Sequence, residues 1–252
     1  KRQLWNRFPV PFGVDNIIAV WDSRLTRGVK NFRREATEIE YKAGRDNDLL
    51  ATAHEHDSDI QMCVEALGGI NMFPGIMEAD DVIGWITHNL PGDITVVSVD
   101  QDMLQLINNN VQVYSPIKKV MVNISNFKQH TGVDTPENFL KYKALIGDKS
   151  DNIPGIPRVG KKTALKIINE GIDKSLLDRS ENDQSIYQKN MKLMDLSHGY
   201  TVHEDEIPCY REQFEKLSNA KHDLSLFKKL CFKKDKKRCK TCLLYTSDAA
   251  DE

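Results

Sequence analysis

The stretch Met77-Glu78-Ala79-Asp80-Asp81-Val82-Ile83-Gly84-Trp85-Ile86-Thr87 constrains this chain more than any other. Its three carboxylates fall within four residues, and an apolar helical pattern follows at once. Pro74 and Gly75 precede it, so the spacing predicts a helix opening near Glu78 with its acids in the first turn. Acids there suit the helix dipole by roughly a few tenths of a kcal/mol each. Two further clusters, Asp100-Gln101-Asp102 and Asp148-Lys149-Ser150-Asp151, also fall at expected element edges. Three such clusters point to one shared cation site, with helix-terminus electrostatics as the alternative for each.

The 252 residues are 29% charged and 40% hydrophobic, a globular balance with enough chain for a sizeable core. The net charge of −2 argues neither for nor against nucleic acid, because the charge is segregated. No apolar run approaches the roughly 18 residues of a membrane span. Lys1-Arg2-Gln3-Leu4-Trp5-Asn6-Arg7 lacks the apolar region of a signal peptide. Five cysteines without a spaced framework suit a reducing interior. The expected setting is the cytoplasm.

Ile17-Ile18-Ala19-Val20-Trp21 reads as a short buried strand ending at Asp22, either a ligand-facing acid or a turn aspartate. From Arg24 to Arg45 seven basic residues stand against three acids, with Phe32 and Tyr41 among them. Cations with aromatics suit nucleic-acid backbone and unstacked bases, but a solvated helix face has the same pattern. Asp46 to Leu67 reads as a helix stopped by Gly68-Gly69, and Asp93 to Val99 as a second strand with Asp100 at its end. If Asp100 and Asp102 stay extended, they point the same way. Met103 begins a helix, and Val111 to Val122 reads as a hairpin around Pro116-Ile117-Lys118-Lys119.

Pro136 to Ile146 is a helical pattern ended by Gly147. Asn152 to Ala164 then reads as a tight Gly/Pro hairpin with a helix opening at Gly160. Gly155 and Gly160 would let backbone N–H groups approach a ligand, and a helix N-terminus attracts phosphate. Lys161, Lys162 and Lys166 add cations, so the segment is expected to grip a phosphate backbone. Ser180 to Leu196 is a further helix. Lys221 to Lys240 carries nine basic residues and two acids, a tail that would strengthen non-specific DNA binding or stay solvated. His222 with Cys231, Cys239 and Cys242 is too poorly spaced for a zinc site. The final Leu243 to Glu252 fits nothing before it, is expected to be a reading-frame or sequencing artefact, and receives no function.

Taken together, these residues resemble the structure-specific 5′ nucleases: flap endonucleases, phage 5′–3′ exonucleases and the 5′-nuclease domain of bacterial DNA polymerase I. Glu78-Ala79-Asp80-Asp81, Ser98-Val99-Asp100-Gln101-Asp102 and Gly147-Asp148-Lys149-Ser150-Asp151-Asn152-Ile153-Pro154-Gly155 match three family elements in order. Phe32-Arg33 and Tyr41-Lys42-Ala43-Gly44-Arg45 resemble the stretch leading into the family's helical arch. The correspondence runs from about Ile17 to about Leu196.

The resemblance implies an α/β fold: a PIN-like, mostly parallel sheet flanked by helices, with a helix–hairpin–helix subdomain. Residues 1–135 would form the nuclease core, with the arch at about 24–67. Residues 136–220 would form the hairpin subdomain, and 221–252 a basic tail. An N-terminal strand ending in a further metal-binding Asp is expected to be missing. Two Mg2+ ions, replaceable by Mn2+, would be shared by oxygen-only ligands. Asp22, Glu78, Asp80 and Asp100 would hold the first, Asp102, Asp148 and Asp151 the second, and Asp81 either. Lys42 and Arg45 would offset charge on the scissile phosphate. Arg33, Tyr41, Lys42, Arg45, Gly155, Gly160, Lys161, Lys162 and Thr163 would contact DNA, with K+ as a further ion at the hairpin. The implied activity is hydrolysis of DNA near a 5′ end or flap by a monomer with no membrane partner. The alternatives are a catalytically impaired branched-DNA-binding module and a PIN-type ribonuclease.

Overall fold

The computed structural model describes residues 17–21, 33, 57–172 and 179–202. They fall into two compact units. One holds residues 17–21 and 57–73; the other holds 33, 74–172 and 179–202.

In the smaller unit, β1 (Ile18–Val20) pairs in parallel with β2 (Ile70–Met72), with α1 (Asp57–Ala66) as the described part of the connection. The second strand is a finding: Ile70-Asn71-Met72 is too short to signal itself in the sequence. Trp21 extends the pairing, its N–H donating to the Met72 carbonyl at 2.9 Å. Its indole Nε1 donates to Asn71 Oδ1, and Asn71 Nδ2 in turn donates to the Gln61 carbonyl and Glu65 Oε1. A single strand asparagine therefore ties β1 and α1 to β2. Gly69 is required by close approach, since a Cβ there would lie 2.8 Å from both the Ile17 carbonyl oxygen and the Val64 side chain.

The larger unit opens with α2 (Ala79–Asn89), N-capped by Glu78. Val82, Trp85 and Ile86 form its buried face. β3 (Ile94–Val97) pairs in parallel with β4 (Val111–Ser115), which pairs antiparallel with β5 (Val120–Val122). The hairpin expected over 111–122 is present, its turn closed by Lys119 in a left-handed conformation at φ 55°. Beyond β3 the chain does not stay extended: residues Gln101–Leu106 form a 3-10 helix. Met103 and Ile107 join Val96, Val111 and Val113 in the core, completed by α3 (Phe127–Thr131) and α4 (Pro136–Ile146). Phe127 and Phe139 meet there edge to face, with centroids 6.0 Å apart.

A second core joins α4 to α5 (Lys161–Glu170) and α6 (Glu181–Met194) through Leu145, Ile156, Ala164, Ile167 and Tyr187. Between the helices runs a minimal antiparallel ribbon of β6 (Gly147–Asp148) and β7 (Ile153–Pro154). Buried Asn190 of α6 donates from Nδ2 to the carbonyls of Ala144 and Pro154, 2.8 Å to each. The glycines here serve the fold. A Cβ on Gly155 would lie 2.2 Å from the Ile146 carbonyl oxygen, so its demand comes from the chain's own backbone. Gly155→Ala is therefore expected to destabilise by roughly 1–3 kcal/mol, at the upper end because backbone cannot rotate aside. Gly160→Ala, where a Cβ would meet nothing within 4 Å, serves as control in a urea titration. Equal losses at the two sites would refute this account. The last described element, α7 (Leu196–Val202), packs on α2 where Gly84 faces Leu196 and Gly199 faces Asp81.

Candidate active site

The acids of the larger unit stand at element ends, as their positions in the sequence predict. Glu78 caps α2, Asp80 and Asp81 lie in its first turn, Asp100 caps the 3-10 helix beyond β3, and Asp148 is in β6. They do not form one crowd. Among the described residues, no three His, Cys, Asp or Glu side chains lie close enough together to hold a metal ion. Two groups appear instead, each compensated by a cation from the chain.

The first group centres on Asp102 and Asp148, bridged by the Lys143 ammonium. Lys143 Nζ donates to Asp148 Oδ2 at 2.8 Å and to Asp102 Oδ1. Asp148 Oδ1 accepts from the Ser150 amide at 2.8 Å and from its hydroxyl. Burial works to raise the Asp148 carboxyl, but Lys143 and Ser150 outweigh it and hold the group at about 2. Asp102 moves the other way: burial raises it, Lys143 offsets only part of this, and neighbouring Asp100 and Asp148 add to the rise. Burial alone would lower Lys143, yet the two carboxylates prevail and raise it above its ordinary value. Asp100 is exposed, and its Oδ1 accepts the Asp102 N–H at 2.8 Å. The alternation expected of an extended Asp100–Asp102 pair gives way to this cap, because the chain turns helical at Gln101.

The second group corrects two expectations. Arg33, expected on DNA, is 2% exposed and cannot reach a phosphate backbone. Its Nη1 and Nη2 donate to Asp81 Oδ2 and Oδ1 at 2.6 and 2.5 Å, and Nε donates to the Leu193 carbonyl at 2.8 Å. Nη1 also reaches Glu78 Oε2 at 3.5 Å. Asp81, expected to serve either metal, is 1% exposed and has both oxygens on this guanidinium. It further accepts the Glu78 backbone N–H at 3.3 Å. Both departures have one cause: a buried carboxylate needs a partner, and Arg33 supplies it.

The donor chemistry fits a hard divalent ion. The candidate ligands are all carboxylates, and the space between Asp102 and Asp148 already accommodates a positive charge.

Residues 11–132 match the family model described as "5'-3' exonuclease, N-terminal resolvase-like domain", and residues 134–237 match "5'-3' exonuclease, C-terminal SAM fold". The 5'-3' exonuclease of Buchnera aphidicola subsp. Schizaphis graminum is 32% identical over 227 residues, 81% of this chain and 77% of that protein. The chain belongs to the 5'-3' exonuclease family.

Its share of its relatives varies. It spans 58% of the family member from Buchnera aphidicola subsp. Acyrthosiphon pisum, at 34% identity over 71% of this chain. It spans 16% of the DNA polymerase I of Rhizobium leguminosarum, at 31% identity over 66% of this chain. The solved structure of T5 D15 protein co-crystallised with metal ions aligns with a TM-score of 0.62 at 22% identity, over 83% of this chain and 85% of that one. That likeness establishes the α/β fold of the 5'-3' exonuclease family for this chain.

On the hairpin side, Gly160 caps α5 in extended conformation, and Lys161, Lys162 and Thr163 are all exposed in its first turn. Asp151 and Asp80 are half-buried. Asp22, Tyr41, Lys42 and Arg45 lie outside the described residues. Sequence reasoning missed Lys143, Ser150 and Gly199. Lys143 left a signal: it stands four residues after buried Phe139 and directly before buried Ala144 and Leu145, on the apolar face of α4. Among the described residues, no helix is long and apolar enough to cross a membrane.

Proposed function

We propose that this chain is a divalent-metal-dependent nuclease that hydrolyses DNA phosphodiesters near a 5′ end or at a single-strand/duplex junction. The observation that supports this best is the carboxylate group Asp100, Asp102 and Asp148 at the foot of the α4–α5 hairpin. Asp22, Glu78, Asp80 and Asp100 would hold one Mg2+, and Asp102, Asp148 and Asp151 a second, with Mn2+ able to substitute. Ions held there would supply a lowered pKa for an attacking water and positive charge for the leaving oxygen. Lys42 and Arg45 offset charge on the scissile phosphate. The first turn of α5 presents its open glycine cap, backbone N–H groups and two lysines to the duplex backbone, with K+ at the hairpin as a further ligand. Recognition is then of shape rather than base sequence. Residues 1–135 act as the catalytic core and 136–220 as the duplex grip, in a monomer working in the cytoplasm of a bacterial or phage-infected cell.

A 5′-flap duplex with a label at its 5′ end tests the reading. Mg2+-dependent release of the flap, abolished by EDTA, supports it; an intact flap alongside a cleaved RNA strand overturns it. A second expectation concerns the grip. Lys161→Ala with Lys162→Ala should weaken duplex binding equally for all sequences and flatten the slope of log affinity against log salt by about two. Selective loss for certain base sequences would show that α5 reads bases and would refute the assignment.

A further inference from the structure

We propose that Arg33 is a positioning residue for the divalent-metal site, holding Glu78 in place through Asp81 rather than touching DNA; this rests on the metal-dependent reading above. Arg33 lies 45 and 48 residues before the two acids it contacts and 160 before Leu193, so one guanidinium joins three distant segments. Two of these contacts answer a need of the partner, and the third acts through the helix cap. Leu193 is in the last turn of α6, where carbonyls lack a partner within the helix. Asp81, 1% exposed, has both oxygens on the guanidinium. Glu78, half-buried at the start of α2, is locked to Asp81 by a reciprocal capping box, its side chain accepting from the Asp81 N–H and the Asp81 side chain from the Glu78 N–H, so what fixes Asp81 also fixes Glu78.

The geometry separates the acids into two jobs. Glu78 and Asp81 are three residues apart and share one side of α2, whereas Asp80 is turned about 100° from Asp81 around the axis. Arg33 therefore fixes the side that carries Glu78 without occupying the direction of Asp80. Asp81 is the intermediary, since it bonds both the guanidinium and the Glu78 N–H. Gly199 of α7 backs this arrangement: a Cβ there would fall on the Asp81 carboxylate.

Stability alone does not account for the choice of residues. A buried ion pair can often be replaced by apolar side chains of similar volume without loss. An apolar pair, however, would not fix orientation as the two-pronged Arg–carboxylate fork does. In the sequence the same residue belongs to the basic run from Arg24 to Arg45, and its own contacts are with the helix bearing Glu78 and Asp80.

The test compares wild type, Arg33→Lys and the apolar replacement Arg33→Met with Asp81→Leu. Mn2+ affinity is measured by calorimetry without DNA, melting in EDTA, and 5′-flap affinity in KCl with EDTA. The double variant should melt near wild type and bind the flap within about twofold, yet bind Mn2+ about 10- to 100-fold more weakly, as expected when an outer partner of a ligand is lost. Arg33→Lys keeps the charge but not the fork and should fall between the two; it carries the comparison if the double variant melts early. Unchanged Mn2+ affinity in a folded variant overturns the proposal. So does a loss of flap affinity with Mn2+ binding intact, which would return Arg33 to the DNA. If wild type itself binds no Mn2+, the metal reading falls and takes this one with it.

Discussion

Asp80→Asn combined with Asp100→Asn should reduce Mg2+-dependent cleavage by on the order of 1,000-fold or more, while 5′-flap binding in Ca2+ stays near that of wild type. The two residues stand on different elements, the first turn of α2 and the cap beyond β3, and both are assigned to the same ion. Losing two negative ligands removes the charge that holds the ion and, with it, stabilisation of the kind whose single-group loss alone costs about 100- to 1,000-fold. Asparagine keeps the shape of each side chain. At position 100 it also keeps the cap, because asparagine accepts an N–H bond as well as aspartate does. Folding should therefore survive, and a circular dichroism melt in EDTA checks it. Near-normal turnover by the double variant would remove both residues from the metal site.

Arg33→Met alone should destabilise the protein by about 3–5 kcal/mol, a large share of a typical domain's stability. The loss comes from what is left behind. Asp81, 1% exposed, would be left buried without its guanidinium partner, and the Leu193 carbonyl would lose the Nε donor. Methionine fills some of the space but offers no donor. Melting in EDTA should fall by about 10 °C for a chain of this size. Adding Asp81→Leu should recover most of that loss, since the charge needing a partner is gone. A single variant that melts within about 2 °C of wild type would show that water reaches Asp81 and that the pair is not buried in solution.

These two cases show how far the sequence could be read. The acids are legible because their chemistry and their place at the ends of apolar runs are both local facts. So are the 111–122 hairpin, marked by its Pro-Ile-Lys-Lys turn, and α4, bounded by Pro136 and Gly147. What a charge pairs with is not local. Arg33 sits in a run of cations and looks like one more contact for DNA, but its partners lie 45 to 160 residues away. Lys143 and Lys141 are near neighbours in sequence; one bridges two buried-side carboxylates, the other makes an ordinary pair with Glu137 one turn back. Helical phase distinguishes them, once the apolar face of α4 is known. The glycines mislead for a related reason. Gly155 invites a reading as an open approach for a ligand, while the atom it makes room for is the Ile146 carbonyl oxygen.

The clasp made by Asn190 has a bearing on timing. Its single amide group holds the chain at Ala144 and again at Pro154, and Asp148 lies between those two points. Closing a loop of roughly ten residues costs about 2 kcal/mol in chain entropy beyond a constant term. Here that ordering is completed during folding, before any duplex arrives, so the segment carrying Asp148 is preorganised. Because the same clasp sets the base of the hairpin that leads into α5, the acid and the proposed duplex grip are tied to one point of the fold. If a duplex seats on α5 as proposed, it would meet Asp148 at a fixed offset along its backbone, a ruler whose length is set by the fold rather than by the substrate.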